Sequence, residues 1–97
     1  MLTLPIKKKW YDMILSGEKK EEYRSYNDYY GDRLDKYILN GKFPVRFRNG
    51  YRLDSPMIEC EVSVLIGRGE VEWGAEDKKI YYVLTIHSVK EIKHEEN

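Results

Sequence analysis

The chain has 97 residues, enough for one domain and too few for two. Charged residues are 35% of the total, but 17 Lys and Arg offset 17 Asp and Glu, so the formal net charge is zero. That excludes a general polyanion binder, and any nucleic-acid contact must come from a local patch. A single cysteine, Cys60, excludes an intrachain disulfide, and no run approaches the ~20 apolar residues of a membrane span. With no signal-peptide core read at the start either, the expectation is a soluble cytoplasmic protein without a membrane partner. Its size is sufficient for one modest core.

Leu2, Leu4 and Ile6 alternate with Met1, Thr3 and Pro5, which predicts a short one-sided strand, confined by Pro5 to an edge or a strand end. Trp10, Met13 and Ile14 then recur at helical spacing and predict a helix over residues 7–16. Lys7, Lys8 and Lys9 precede that stripe. Lysines are not what a helix start favours electrostatically, so they read either as a solvated helix start or as a basic rim. Gly17 can take the left-handed conformation that ends a helix. The residues after it read as a strand with no apolar face: Lys20, Glu22 and Arg24 on one side, Lys19, Glu21 and Tyr23 on the other. A strand wholly inside a small core cannot hide so many charges unless they are paired, so this one sits at an edge or lines a polar opening.

Asn27 or Asp28 can cap a second helix over residues 28–38, marked by Tyr30, Leu34, Tyr37 and Ile38 and stopped at Asn40-Gly41. Tyr23, Tyr26, Tyr29, Tyr30 and Tyr37 crowd this region as half-buried packing with wet hydroxyls, or as a base-stacking surface. Phe43, Val45 and Phe47 alternate with Pro44, Arg46 and Arg48 in another one-sided strand, and Asn49-Gly50 signals a tight turn. Arg46, Arg48, Tyr51 and Arg52 form the one dense basic-aromatic cluster, read as solubilising residues or as an anion-binding rim. Residues 57–66 predict a strand with Ile58, Cys60, Val62, Val64 and Ile66 on one face, Cys60 being an inert core thiol. Gly67, Gly69 and Gly74 suggest bulges or close backbone approach, and lack the lysine and Ser/Thr of a phosphate loop. Residues 80–86 are apolar on nearly every position and predict a central strand, with Val89 and Ile92 adding a short pairing and residues 94–97 a frayed tail. The expected core includes Val62, Val64, Leu84 and Ile86. The whole predicts an α+β, mainly β fold: an antiparallel, strongly curved sheet closing into a barrel with two flanking helices.

One cysteine and two distant histidines, His87 and His94, build no structural zinc site, and no metal or cofactor is expected. No Ser–His–acid or Cys–His signature is present. The remaining chemistry lies at Lys19, Glu22 and Arg24, although Glu21 and Glu22 oppose the lowered pKa that a reactive lysine needs.

Gly17-x-Lys19-x-x-Glu22-x-Arg24 is similar to the G-x-K-x-x-E-x-R signature of the ASCH domain family, with all four positions matched directly after a helix. The order of elements extends the resemblance to nearly the whole chain, residues 1–97, as a small single-domain bacterial or phage type. It implies a PUA-like β-barrel that binds RNA or a nucleotide. On that reading Lys19, Glu22, Arg24, Arg46, Arg48, Tyr51 and Arg52 contact the ligand. Some small bacterial ASCH proteins remove the acetyl group from N4-acetylcytidine, with the signature lysine catalytic, a threonine where Glu22 stands here, and a later glutamate completing the site. Others are reported as ribonucleases, again with a lysine in the site. Lys19 matches those enzymes and makes a catalytic candidate together with Glu22. Glu22 itself departs from their pattern, removing the hydroxyl, and the later acid would be Glu70, Glu72 or Glu76. A hydrolase of modified nucleosides or RNA, and a protein-interaction module, are the alternatives.

Overall fold

The computed structural model describes residues 1–92. Five strands, β1 (Leu2–Ile6), β2 (Glu21–Ser25), β3 (Phe43–Asn49), β4 (Met57–Arg68) and β5 (Ile80–Ile92), form one sheet in the order β1-β3-β4-β5-β2. With two helices, α1 (Lys8–Ser16) and α2 (Asp28–Leu34), the fold is α+β and mostly strand. The sheet curls into a half-barrel, the coarse form of the strongly curved sheet expected, while β1 pairs with β3 in parallel, so the expected all-antiparallel pairing is corrected. Leu2–Ile6 must lie beside β3 with its apolar residues inward, and the α1–β2–α2 excursion that separates the two strands is long enough for a parallel connection.

The two strands with edge character in the sequence do occupy the two edges. Pro5 lacks the N–H a second neighbour would need, and β2 carries charge on both faces. Central β5 is covered on both sides, with Tyr81, Tyr82, Val83 and Leu84 all buried. Its inner residues Tyr82 and Leu84 join Leu4, Ile6, Val45, Phe47, Ile58, Cys60, Val62 and Val64 in the core, which Ile14 of α1 and Leu34 of α2 cap. Ile86 packs on the same cluster while partly exposed. On the outer face Tyr81 and Val83 pack with Tyr23 against Ala75. That cover is supplied by the segment between β4 and β5, which contains a short 3-10 turn, Val71–Trp73. Burial pushes the Cys60 thiol up to about 12, as suits an inert core residue.

Local chemistry accounts for the boundaries. Gly17, at φ +88°, donates to the Ile14 carbonyl and ends α1. Asn27 caps α2 by accepting from the Tyr30 N–H at 2.9 Å. The second helix stops at Leu34, four residues short of expectation at residue 38, and continues only as a 3-10 turn, Asp35–Tyr37. The Tyr37 ring stacks on Phe43, 3.7 Å between centroids, which draws the chain off the helical path. Asn49-Gly50 does not make a two-residue hairpin turn: residues 50–56 form a longer loop, closed by the Asn49 N–H on the Pro56 carbonyl. The bulge in the β4–β5 ladder lies opposite Glu61 and Val62, where His87 of β5 is the extra residue, away from the glycines. Gly74, however, sits at φ +103° where an added Cβ would lie 2.9 Å from Trp10, the close approach that glycines there suggested. The expected pairing of Val89 and Ile92 is part of β5, and the expected tail lies outside the described residues.

Candidate functional site

Because the half-barrel leaves β1 and β2 unpaired with one another, their facing edges are joined by a side chain. Arg24, on the inner face of β2 opposite Tyr82, donates through Nη2 to the Pro5 carbonyl of β1 at 2.8 Å. The same guanidinium holds Glu22 Oε2 twice, from Nε at 3.0 Å and Nη2 at 2.7 Å, and reaches the Tyr30 hydroxyl of α2 at 3.3 Å. Glu22 offers its other oxygen, Oε1, to the Lys19 ammonium at 3.3 Å. A buried row of Lys19, Glu22 and Arg24 thus runs along the start and inner face of β2, with both oxygens of its one carboxylate engaged by cations. A charge row inside a fold is tolerable only with such complete pairing.

Lys19 is enclosed on every side. Its side chain has no exposed surface, and its ammonium donates to the Trp73 carbonyl and lies 4.7 Å from the Trp10 ring centroid and 4.9 Å from that of Tyr23. Burial pulls its pKa below the ordinary lysine value, with the attraction of Glu22 opposing and Arg24 assisting. The sequence balance of neighbouring glutamates predicted no such lowering; desolvation, which depends on the fold alone, outweighs them. Burial also works against the charge of Arg24, but Glu22 and Tyr30 outweigh it and raise its pKa.

Above this row opens a cleft of about 670 Å³, within the roughly 300–1,000 Å³ usual for small-molecule sites. Glu22 and Arg24 form its floor, Trp10, Tyr23, Tyr30 and Trp73 its aromatic walls, and Lys7, Lys8 and Tyr51 stand around it with Ser25 and Asn49. Glu22 is the one carboxylate among the lining residues. Lys8 also pairs with Asp12 at 2.6 Å, a largely exposed contact of small energetic weight. The start of α1 carries no side-chain cap and no acid in its first turn.

Placement of the expected site residues is therefore mixed. Glu22, Arg24 and Tyr51 line the cleft, and Lys19 stands directly behind Glu22 without reaching the opening. The expected rim of Arg46, Arg48 and Arg52 is corrected: none of the three lines the cleft. Arg46 lies on the outer face of β3 and pairs with Glu59 across the ladder at 3.2 Å, while Arg52, in the loop after β3, pairs with Asp54 at 3.2 Å. Glu59 comes close to Arg46 only through strand pairing, whereas Asp54 stands two residues from Arg52 and is a sequence neighbour. The basic rim is Lys7 and Lys8 instead, one of the two readings of that lysine run. Glu70, Glu72 and Glu76 are exposed and do not line the cleft. Sequence reasoning placed Trp10 in the core stripe, counted Tyr30 among the tyrosines that pack or stack bases, and gave Trp73 no particular role. The signal for Trp10 was its place directly after three lysines. Ser63 and His87 come within 2.7 Å of each other, but neither lines the cleft. Among the described residues no group of three or more His, Cys, Asp or Glu is arranged for a metal, and no helix is long and apolar enough to cross a membrane.

Fold and site together define a small α+β protein whose curled sheet carries a cationic, aromatic cleft at its open seam. No family model, curated protein or solved structure matches the chain.

Proposed function

We propose that this protein is an RNA- or nucleotide-binding module of the ASCH, PUA-like kind, with its ligand in the cleft above Glu22 and Arg24. The observation that carries the reading is the composition of that cleft. Stacking surfaces from Trp10, Tyr30 and Trp73 converge with Lys7, Lys8 and Arg24, and the lone lining carboxylate is held between two cations. A heterocycle with an attached anion is the ligand chemistry such a lining favours. The neutral overall charge agrees with local rather than general attraction of polyanions.

The hydrolase alternative draws no support from the geometry. Lys19 is sealed behind the wall, position 22 carries no hydroxyl, and both oxygens of Glu22 are committed to cations. None of Glu70, Glu72 and Glu76 lines the cleft to complete a site. The protein-interaction alternative has no feature in its favour comparable to the cleft.

Both tryptophans of the chain, Trp10 and Trp73, line the cleft, so intrinsic fluorescence reports its occupancy directly. Titration with nucleosides, nucleotides and short single-stranded RNA is expected to change the emission saturably. Chromatography of N-acylated nucleosides incubated with the protein is expected to show no deacylation. A flat titration across the panel refutes the binding reading; turnover restores the hydrolase.

A further inference from the structure

Resting on the nucleotide-binding reading, we infer that the cleft takes one phosphorylated nucleoside unit, as a free mononucleotide or as the phosphorylated end of a strand, and not the interior of an RNA chain. The first support is size. The cleft of about 670 Å³ is lined by α1, β2, α2, the loop after β3 and the turn at Trp73, so five elements converge on a space matched to a small ligand. A strand passing through must leave in two directions and needs a track of cations outside the cleft.

Among the described residues, none of Arg46, Arg48 and Arg52 lines the cleft to begin such a track. Arg46 and Arg52, the cations that would extend the site along the sheet and its loop, are tied to Glu59 and Asp54 and stand outside the lining. On the side of Trp73 the chain presents Glu70 and Glu72, both exposed, which repel a phosphodiester backbone leaving that way. Positive charge is instead concentrated at the cleft itself, in Lys7, Lys8 and Arg24, with Lys19 behind, against Glu22 inside and Asp12 beside Lys8. Charge gathered at one point favours the phosphomonoester, which carries up to two negative charges, over a diester carrying one. Lys7 and Lys8 stand beside Trp10, and Arg24 beneath Tyr30, so a ring and its phosphate fit side by side within the same cavity.

The test is a fluorescence titration of the full chain with four nucleosides, their 5′- and 3′-monophosphates, and a short RNA in three forms: phosphorylated at its end, unphosphorylated, and circular. At least one monophosphate is expected to bind ten-fold or more tighter than its nucleoside. In Lys7→Ala/Lys8→Ala protein, whose substitutions are at exposed or rim positions, the two are expected to bind alike. If end-phosphorylated RNA matches the monophosphate, the natural source is a strand end. If that RNA binds weakly while the monophosphate binds well, the source is the free nucleotide. Circular RNA binding as tightly as the monophosphate, or affinity that climbs with strand length, overturns this inference while leaving RNA binding intact. Equal affinity for nucleoside and monophosphate overturns it too, while leaving a nucleoside site. Silence from every ligand removes the underlying reading as well.

Discussion

Replacing Lys19 by methionine keeps an apolar stem of similar length and removes only the ammonium. Three sets of groups are then left without it: the Trp73 carbonyl, Glu22 Oε1, and the faces of Trp10 and Tyr23. An orphaned buried carbonyl costs about 1–3 kcal/mol, and each cation–π interaction is worth roughly 0.5–2 kcal/mol. Glu22 keeps its two hydrogen bonds from Arg24 on Oε2, so its charge is not abandoned. Against these costs stands the relief of a buried ammonium, whose lowered pKa records that its desolvation exceeds the attraction of Glu22. The balance is a net destabilisation of about 2 kcal/mol, which in a domain of this size lowers Tm by roughly 8–16 °C. The folded pKa lies below the unfolded value of 10.5, so between the two the unfolded chain holds more protons and the Lys19 contribution to stability rises with pH. The wild-type advantage over Lys19→Met should therefore widen as pH climbs toward 10.5. Urea denaturation of both proteins across that range, with thermal melts at neutral pH, measures both effects. A methionine variant as stable as wild type at neutral pH would refute the reasoning, since the ammonium would then fasten nothing.

Arg24→Lys should destabilise by about 3–5 kcal/mol despite keeping the charge, because one ammonium cannot span Glu22 Oε2, the Pro5 carbonyl and the Tyr30 hydroxyl; chemical denaturation reads the difference. Stability should fall as pH rises above about 9, because burial pushes the Cys60 thiol up to about 12, and the bond to Asp35, followed by burial, pushes the Tyr82 hydroxyl up to about 12. Both groups stay protonated in the fold after they would ionise in the unfolded chain, so their contribution is complete below the unfolded values and lost as pH passes the folded ones. A Cys60→Ala protein, weaker at neutral pH, should show a shallower alkaline decline in a pH series of melts. Binding of a phosphorylated strand end should show a log–log salt slope of about −1, from roughly −0.7 per phosphate contacted. Arg48→Ala should leave both affinity and slope unchanged, since Arg48 does not line the cleft.

Much of this molecule is written in local pattern. Period-two alternation in Leu2–Ile6, Phe43–Asn49 and residues 57–64 specifies the strands and which residues face inward, because side-chain direction in a strand follows from residue parity alone. Ile66, in the same row, runs past the core and is exposed. Gly17 and Asn27 mark helix ends through chemistry contained within one turn of chain. The charged faces of Glu21–Ser25 announced an edge or a polar opening, since burial without partners is forbidden to such residues; β2 proves to be both. Tertiary structure alone decided which partners those charges found. Arg46 meets Glu59 through strand register, Lys19 meets the Trp73 carbonyl across 54 residues, and Arg24 meets Pro5 across the open seam. Each is a long-range proximity that no local pattern encodes. The same holds for the pKa of Lys19: its main lowering cause is burial among Trp10, Tyr23 and Trp73, with Arg24 adding to it, while its acidic neighbours in sequence, Glu22 and Glu21, raise it.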